Sequence, residues 1–492
     1  MNKPLRRIAI FCGLLVLALL IRDNWLQYVQ ADELRTDTAN RRVNIERYAT
    51  PRGNIIVDGN PITGSKTSTT GDYEYKRTYK DGAMWAPVTG YASQAFGANQ
   101  IEKIEDGILT GNDDRLFFRN TLDMITGKKK KGGNVLTTLN GAAQKAAFEG
   151  LGAKKGAVAA IDPKTGAILA LASTPSYDPS SFAGNSTSTD SKAWNKLQKK
   201  NNPDDPMLNR ALRETYPPGS TFKVVTAAAA LENGLVPDAD TKTESPDPWI
   251  MPGTTTKLPN EGNLPCKNAT LRVALKVSCN TVFGKVGADL GNGKMLEQAK
   301  KFGFGSEQFT PIRSSSSVFS DGMNTSQTAL SSIGQYNTAA TPLQMAMVAS
   351  AVANDGTLMK PYMVSELSTH NLDVIEHTDP EKLSQPLSKE NAQVLQSMME
   401  TVVKDGTGKR AQINEQGVTV GGKTGTAQHG VDNSEKPYAW FISYAKLSDG
   451  SSPVAVAVVV EDGSANRGDI SGGGLAAPIA RDVMKAVIDS KK

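Results

Sequence analysis

Residues 216–234 read YPPGSTFKVVTAAAALENG. Two prolines and a glycine end an irregular stretch at Ser220. The Ala-, Val- and Leu-rich run behind it predicts a buried helix over about 220–232, stopped by Asn233-Gly234. The proline-rich approach sets Ser220 at the mouth of that helix, its hydroxyl at a defined point beside free helix N–H groups. Lys223, three positions on, shares the same helical face. A serine hydroxyl needs a neighbouring base to act as a nucleophile. A lysine supplies one when burial or a second cation lowers its pKa. The plain alternative is an N-capping serine followed by a surface lysine.

Outward from this helix, the chain from about residue 153 onward reads as one domain. Residues 157–161 and 167–172 predict two strands joined by the tight turn Asp162-Pro163-Lys164-Thr165-Gly166. Residues 177–202 are polar and read as extended or loosely helical, and 236–270 as a loop excursion. Residues 271–287 read as two helical stretches broken at Ser278-Cys279-Asn280. Thr341-Pro342 opens a further helix, in which Met345 and Met347 fill core. Strands follow at 417–428, 439–446 and 453–461, then a last helix over 478–488. That order requires no parallel crossovers. It fits an α+β domain: an antiparallel sheet whose first and last segments pack together, covered by helices.

Upstream, basic residues Lys3, Arg6 and Arg7 precede an apolar stretch at 8–21, the pattern of an export or anchoring segment with its basic end left in the cytoplasm. The stretch is shorter than the ~20 residues usual for a span. A cleaved signal peptide near Val29-Gln30-Ala31, an uncleaved anchor with Trp25 and Tyr28 at the far interface, and a buried helix all remain open. Either of the first two places the rest of the chain outside the cytoplasm. Residues 31–152 then predict a small strand-rich domain, with 54–59 as a strand running into the turn Asp58-Gly59-Asn60-Pro61. The net charge of +5 over 492 residues gives no reason to expect nucleic acid. The one dense basic run, Lys128 to Lys131, lacks an aromatic platform or recognition helix and reads as a solvated turn. Of three cysteines, Cys12 lies in the apolar segment. Cys266 and Cys279 are close enough to pair in an exported protein, the alternative being two separate buried thiols.

Two more segments carry chemistry. Ser278 and Asn280, at i and i+2 of an extended or turn segment, can face one cleft; the alternative is a capping Ser and a turn Asn. In Gly421-Gly422-Lys423-Thr424-Gly425-Thr426, Lys423 and Gly425 share a strand face. A strand glycine is costly unless something must approach the backbone, and a peptide substrate is one such reason. Lys423 and the Thr426 hydroxyl can attract a carboxylate. The three histidines, His370, His377 and His429, show no metal-ligand spacing, and no metal or cofactor is expected. His429 is close enough to the Lys423 strand for a cleft-edge role. Glu461 and Asp462 follow the last strand with nothing predicted opposite them.

Ser220-Thr221-Phe222-Lys223 matches S-x-x-K, Ser278-Cys279-Asn280 matches S-x-N, and Lys423-Thr424-Gly425-Thr426 matches K-T-G-T. In this order they resemble the penicillin-binding proteins and serine β-lactamases. The strand–DPKTG–strand unit and the PPGSTFK context are similar to a penicillin-binding transpeptidase from about residue 153 to the C-terminus. Arg52-Gly53-Asn54-Ile55 resembles the R-G-x-I segment of class B, monofunctional members. The short N-terminal region is most similar to the actinobacterial branch called penicillin-binding protein A. The resemblance implies a membrane anchor and cytoplasmic tip over 1–30, a pedestal or dimerisation-type domain over 31–152, and a transpeptidase domain with a helical subdomain over 153–492.

It also implies roles. Ser220 attacks the penultimate D-Ala carbonyl of a stem peptide, with Lys223 as base. Ser278 relays a proton, Asn280 orients Lys223 and the substrate amide, and Lys423 sets the local field. Thr424, Gly425 and Thr426 bind substrate, the two threonines its carboxylate, and the backbone N–H groups of Ser220 and Thr426 form the oxyanion hole. A neighbouring stem peptide's amine accepts the acyl group, and β-lactams act as covalent inhibitors. A monofunctional member needs glycan made elsewhere, which implies a membrane glycosyltransferase partner of the shape, elongation, division and sporulation family. A D,D-carboxypeptidase and a non-catalytic β-lactam sensor or scaffold are the rival readings.

Overall fold

The computed structural model describes residues 3–36, 48–69, 73–116, 131–184, 187–199, 201–430, 433–461, 467 and 470–492. At its centre is a wholly antiparallel five-stranded sheet in the order Val418–Ala427, Tyr438–Leu447, Val454–Glu461, Lys155–Ile161, Ile168–Thr174. The first strand pair thus docks on the last strand, with Val158 opposite Val458. Along that last strand Val454, Val456, Val458 and Val460 pack with the C-terminal helix Ala477–Ser490 and the helix Gly141–Leu151. Ala455, Ala457 and Val459 pack on the other face with the helix Pro342–Ala353, where Met345 and Met347 are buried. Burial on both faces explains the unbroken apolar run in the sequence. Each fully buried Val contributes roughly 1.5–3 kcal/mol.

The helical body sits on the Pro342–Ala353 side. Lys223–Glu232 is its centre, buried from Lys223 to Leu231, and it packs against Asn280–Lys301 and Lys389–Asp405. A 3₁₀ turn, Gly219–Phe222, leads into it, so the first turn is tighter than the α-helix expected from residue 220. Residues 177–202 are more ordered than their polarity suggests. They contain the helix Thr187–Leu197, whose Trp194 stacks on Phe96 at 4.5 Å between ring centroids, beside Tyr91 and Phe182. The 236–270 excursion holds a short hairpin, Trp249–Ile250 with Lys257–Leu258.

A second five-stranded sheet belongs to the smaller lobe, in the order Val374–His377, Val364–Ser368, Asn134–Thr137, Ile55–Val57, Asn60–Pro61. Two of its strands come from the C-terminal two-thirds of the chain, and Gly141–Leu151 packs under the central sheet. The division expected at residues 152/153 is therefore crossed in both directions. The lobe also contains helices at Gly82–Thr89, Gln100–Ile104 and Asp106–Thr110. These are too short to show periodicity in sequence. Arg52 anchors the lobe from inside. It donates to Glu102 at 2.6 Å and Asp106 at 2.7 Å, while Arg77 donates to the other Glu102 oxygen at 2.6 Å.

The N-terminal helix Lys3–Tyr28 is long and apolar enough to span a membrane, and none of it is buried. Its 26 residues rise about 39 Å at ~1.5 Å each. The helix runs on past the apolar stretch through Arg22 and Asp23, which is why it is longer than that stretch alone predicts. Cys12 lies exposed on it.

Candidate active site

The turn at residues 216–220 is pinned from several sides. Tyr216 and Ala340 exchange backbone hydrogen bonds, the Tyr216 hydroxyl donates to Glu461 at 2.9 Å, and the Trp440 indole donates to the Pro217 carbonyl at 3.0 Å. Gly219 has φ 53° and donates its N–H to the Gly334 carbonyl at 2.9 Å. A Cβ on Gly334 would lie 2.0 Å from the Gly219 carbonyl oxygen, so this backbone approach needs glycine. Ser220, half-buried, sits in the 3₁₀ turn that delivers Lys223 into the core.

Three elements converge on the Lys223 amine. It donates to Asn280 Oδ1 at 2.7 Å, to the Ser278 carbonyl at 2.8 Å and to Ser278 Oγ at 3.2 Å. Lys423, from the central sheet, donates to the same Ser278 Oγ at 3.0 Å and to the Thr424 carbonyl at 2.8 Å. One serine oxygen thus bridges two lysine amines. Ser278 and Asn280 both reach the Lys223 amine, from a turn between two helices rather than an extended segment. Ser278 is left-handed (φ 67°, ψ 43°) at the end of the helix Leu271–Val277, and Asn280 opens the helix Asn280–Lys301. Between them Cys279 is disulfide-bonded to Cys266, tying the excursion loop to this turn.

Both lysines are fully buried. Burial pushes the Lys223 amine well below the ordinary lysine value, and the nearby Lys423 charge lowers it further. Burial likewise brings Lys423 down to about 7. Glu261 pulls both in the opposite direction. Burial thus favours the neutral form of both amines, and the Ser278 hydroxyl joins them as a proton path.

Gly425 has a different reason from the one its strand position suggested. A Cβ there would sit 3.0 Å from the Pro218 carbonyl oxygen and 3.0 Å from Thr221 Cγ2. The protein's own turn at residues 216–221 demands the close approach. Thr424 Oγ1 lies 2.6 Å from Thr407 Oγ1, a hydroxyl pair that sequence reading missed. Thr426 is half-buried beside Gly219. His429 stacks on Tyr438 at 4.0 Å, at the far end of this strand. His370 approaches Lys131 at 3.1 Å and His377 approaches Glu366 at 3.3 Å, both in the second sheet or its margin. Glu461, expected to face nothing, also pairs with Lys155 at 2.9 Å. Asp462 and Lys128 to Lys130 lie outside the described residues. Among the described residues no His, Cys, Asp and Glu cluster suits a metal ion.

A serine, two buried lysines and a bridging serine–asparagine turn on this sheet define a serine acyltransferase of the penicillin-binding class. Residues 156–485 match the penicillin binding protein transpeptidase domain, and residues 52–135 the penicillin binding protein A dimerisation domain. The chain belongs to the class B penicillin-binding protein family of serine D,D-transpeptidases. It is 39% identical to the peptidoglycan D,D-transpeptidase PbpA of Mycolicibacterium smegmatis, over 99% of both chains. It is 39% identical to PbpA of Mycobacterium tuberculosis over 100% of both. Penicillin-binding protein A of M. tuberculosis, solved as a ceftriaxone acyl-enzyme, superposes with a TM-score of 0.84 at 37% identity, covering 90% of this chain and 100% of that one.

Proposed function

We propose that this enzyme cross-links peptidoglycan stem peptides through an acyl-enzyme on Ser220. The observation that carries the assignment is the Lys223–Ser278–Lys423 chain behind the serine. Neutral Lys223 takes the Ser220 proton as Oγ bonds to the penultimate D-Ala carbonyl carbon. The N–H groups of Ser220 and Thr426 receive the oxyanion. The peptide C–N bond then breaks as Ser278 passes its proton to the departing nitrogen and takes in exchange the one held by Lys223, and D-Ala leaves. Lys423, Thr424 and Thr426 hold the donor's carboxylate, with Gly425 keeping the strand close. The amine of a second stem peptide attacks the ester and restores the Ser220 hydroxyl. A β-lactam enters by the same first step, its ring amide bond opening in place of the peptide bond.

In this reading Lys3–Tyr28 is an uncleaved anchor, the smaller lobe is a pedestal, and the transpeptidase domain lies outside the cytoplasm. Glycan strands come from a membrane glycosyltransferase of the shape, elongation, division and sporulation family, held through the N-terminal region. Crosslinking in native membranes that recovers no such enzyme counts against that partner.

Incubating the full chain with labelled penicillin and mapping the adduct tests the assignment. We expect one stable adduct on Ser220, absent in S220A. An adduct elsewhere, or one that survives S220A, rejects Ser220. Stem peptides with and without an acceptor amine then separate cross-linking from release to water, the carboxypeptidase outcome. An adduct with neither product leaves the sensor reading.

A further inference from the structure

We propose that Asn260 is a positioning residue for this reaction: held by Asp247, it caps the Asn280 backbone and so places the adjoining Pro259 carbonyl, which fixes the amide orientation of Asn280 and with it the place of the Lys223 amine. The inference rests on the roles given above to Ser220 and Lys223. It begins with an unmet need. The helix Asn280–Lys301 starts with N–H groups that its own turns cannot satisfy. The residue at its N-cap position is Cys279, whose sulfur is committed to Cys266 and makes no capping hydrogen bond.

Asn260, from the excursion loop, caps the helix in its place. Its Oδ1 accepts from the Asn280 N–H at 2.7 Å and from the Thr281 N–H at 3.1 Å. Its Nδ2 donates to Asp247 Oδ2 at 3.0 Å and to Thr281 Oγ1 at 3.0 Å. Acceptors on one side and N–H donors on the other leave Asn260 a single satisfiable orientation. The adjoining Pro259 carbonyl accepts from Asn280 Nδ2 at 2.9 Å. That contact turns Asn280 Oδ1 toward Lys223, 2.7 Å away. The disulfide fastens the same loop to the same turn. Each hydrogen-bonding atom of the Asn280 amide is therefore assigned, one by the loop and the other by the amine it orients.

The experiment is the acylation rate of the full chain by labelled penicillin as a function of pH. N260A is expected to acylate about 10–100-fold more slowly, the scale of a misplaced catalytic group. In an N280A background the same change adds no further loss. The acidic limb of the N260A profile moves to lower pH, because a displaced acceptor no longer favours the Lys223 ammonium. Lys423 and Glu261, the charged groups that act on Lys223, are unchanged in this variant. N260D, with two carboxylates opposed, is expected to be slower still, and D247N/N260D, which exchanges the partners, to recover most of the rate. Wild-type acylation by N260A overturns the proposal, as does a full additive loss on N280A or a fall in Tm with an unmoved limb. If N260A does not fold, a folded but slow D247N/N260D overturns it. A wild-type chain that takes no acyl group at Ser220 fails the earlier assignment instead, before any Asn260 variant is compared.

Discussion

Among the described residues no carboxylate lies at hydrogen-bonding distance of the buried Lys423 amine, and the fold bears the cost of charging it. With its folded pKa near 7 and an unfolded value near 10.4, the unfolded chain holds a proton that the folded chain lacks between those limits. Stability therefore rises with pH through that window, and the penalty is complete below it. Lys423→Met is expected to raise the unfolding free energy at pH 6 by on the order of a few kcal/mol, seen as a higher Tm whose gain shrinks toward pH 10, while penicillin acylation falls by more than about 100-fold. A Tm gain that does not vary with pH contradicts the account. Much at this scale was readable in advance. The i, i+3 spacing of Ser220 and Lys223 was open to a capping serine and a surface lysine, and gained its weight only from the S-x-N and K-T-G-T segments that follow in order. Ser278 and Asn280 lie in the turn alternative of the sequence reading, at the break expected between two helical stretches, but the left-handed serine that makes the turn leaves no spacing signature. Asn260 was not legible at all, because its partners Asp247 and Asn280 flank it at loop distances that only the folded chain defines.

Among the elements, the strand Val418–Ala427 and the turn at residues 216–221 behave as one unit. They meet where Gly425 faces Pro218 and Thr221. Gly425→Ala must push them apart by a few tenths of an ångström, and an acylation loss of roughly 10–100-fold with a small fall in Tm is expected. Gly421→Ala is the contrast. Its Cβ would meet the buried Tyr444 ring at 2.4 Å, which predicts a stability loss of about 1–3 kcal/mol, read by denaturant unfolding. Equal acylation by G425A and wild type removes the unit. The central strands were legible because two buried faces leave unbroken apolar runs such as residues 454–460. The helix Thr187–Leu197 was not, since a polar segment gains its place through Trp194 and the distant Phe96.

Taken whole, the molecule couples two lobes through exchanged strands, and a buried charge cluster holds the smaller lobe from inside. Burial alone would raise the Glu102 pKa, but the Arg77 and Arg52 charges outweigh it and hold the carboxyl below its usual value. The stability this gives is present at neutral pH and is lost as pH falls through that lowered pKa. Glu102→Gln takes the carboxylate from the buried Arg77 guanidinium and leaves Arg52 with Asp106 alone, and is expected to cost about 3–5 kcal/mol. Calorimetry measures this as a lower Tm, with acylation unchanged below the transition. A loss under ~1 kcal/mol would place the cluster at a wetter surface than described. Sequence order hid this coupling, because strands at 364–368 and 374–377 complete a sheet begun at 55–57. That splicing also sets a schedule. On the anchored reading, Asn134–Thr137 crosses the membrane about 230 residues before its neighbour Val364–Ser368. At ~5–20 residues per second of synthesis, the strand waits roughly 10–50 s with one edge unpaired. The smaller lobe is made first and finished late, so its nascent form is where export chaperones have most to protect.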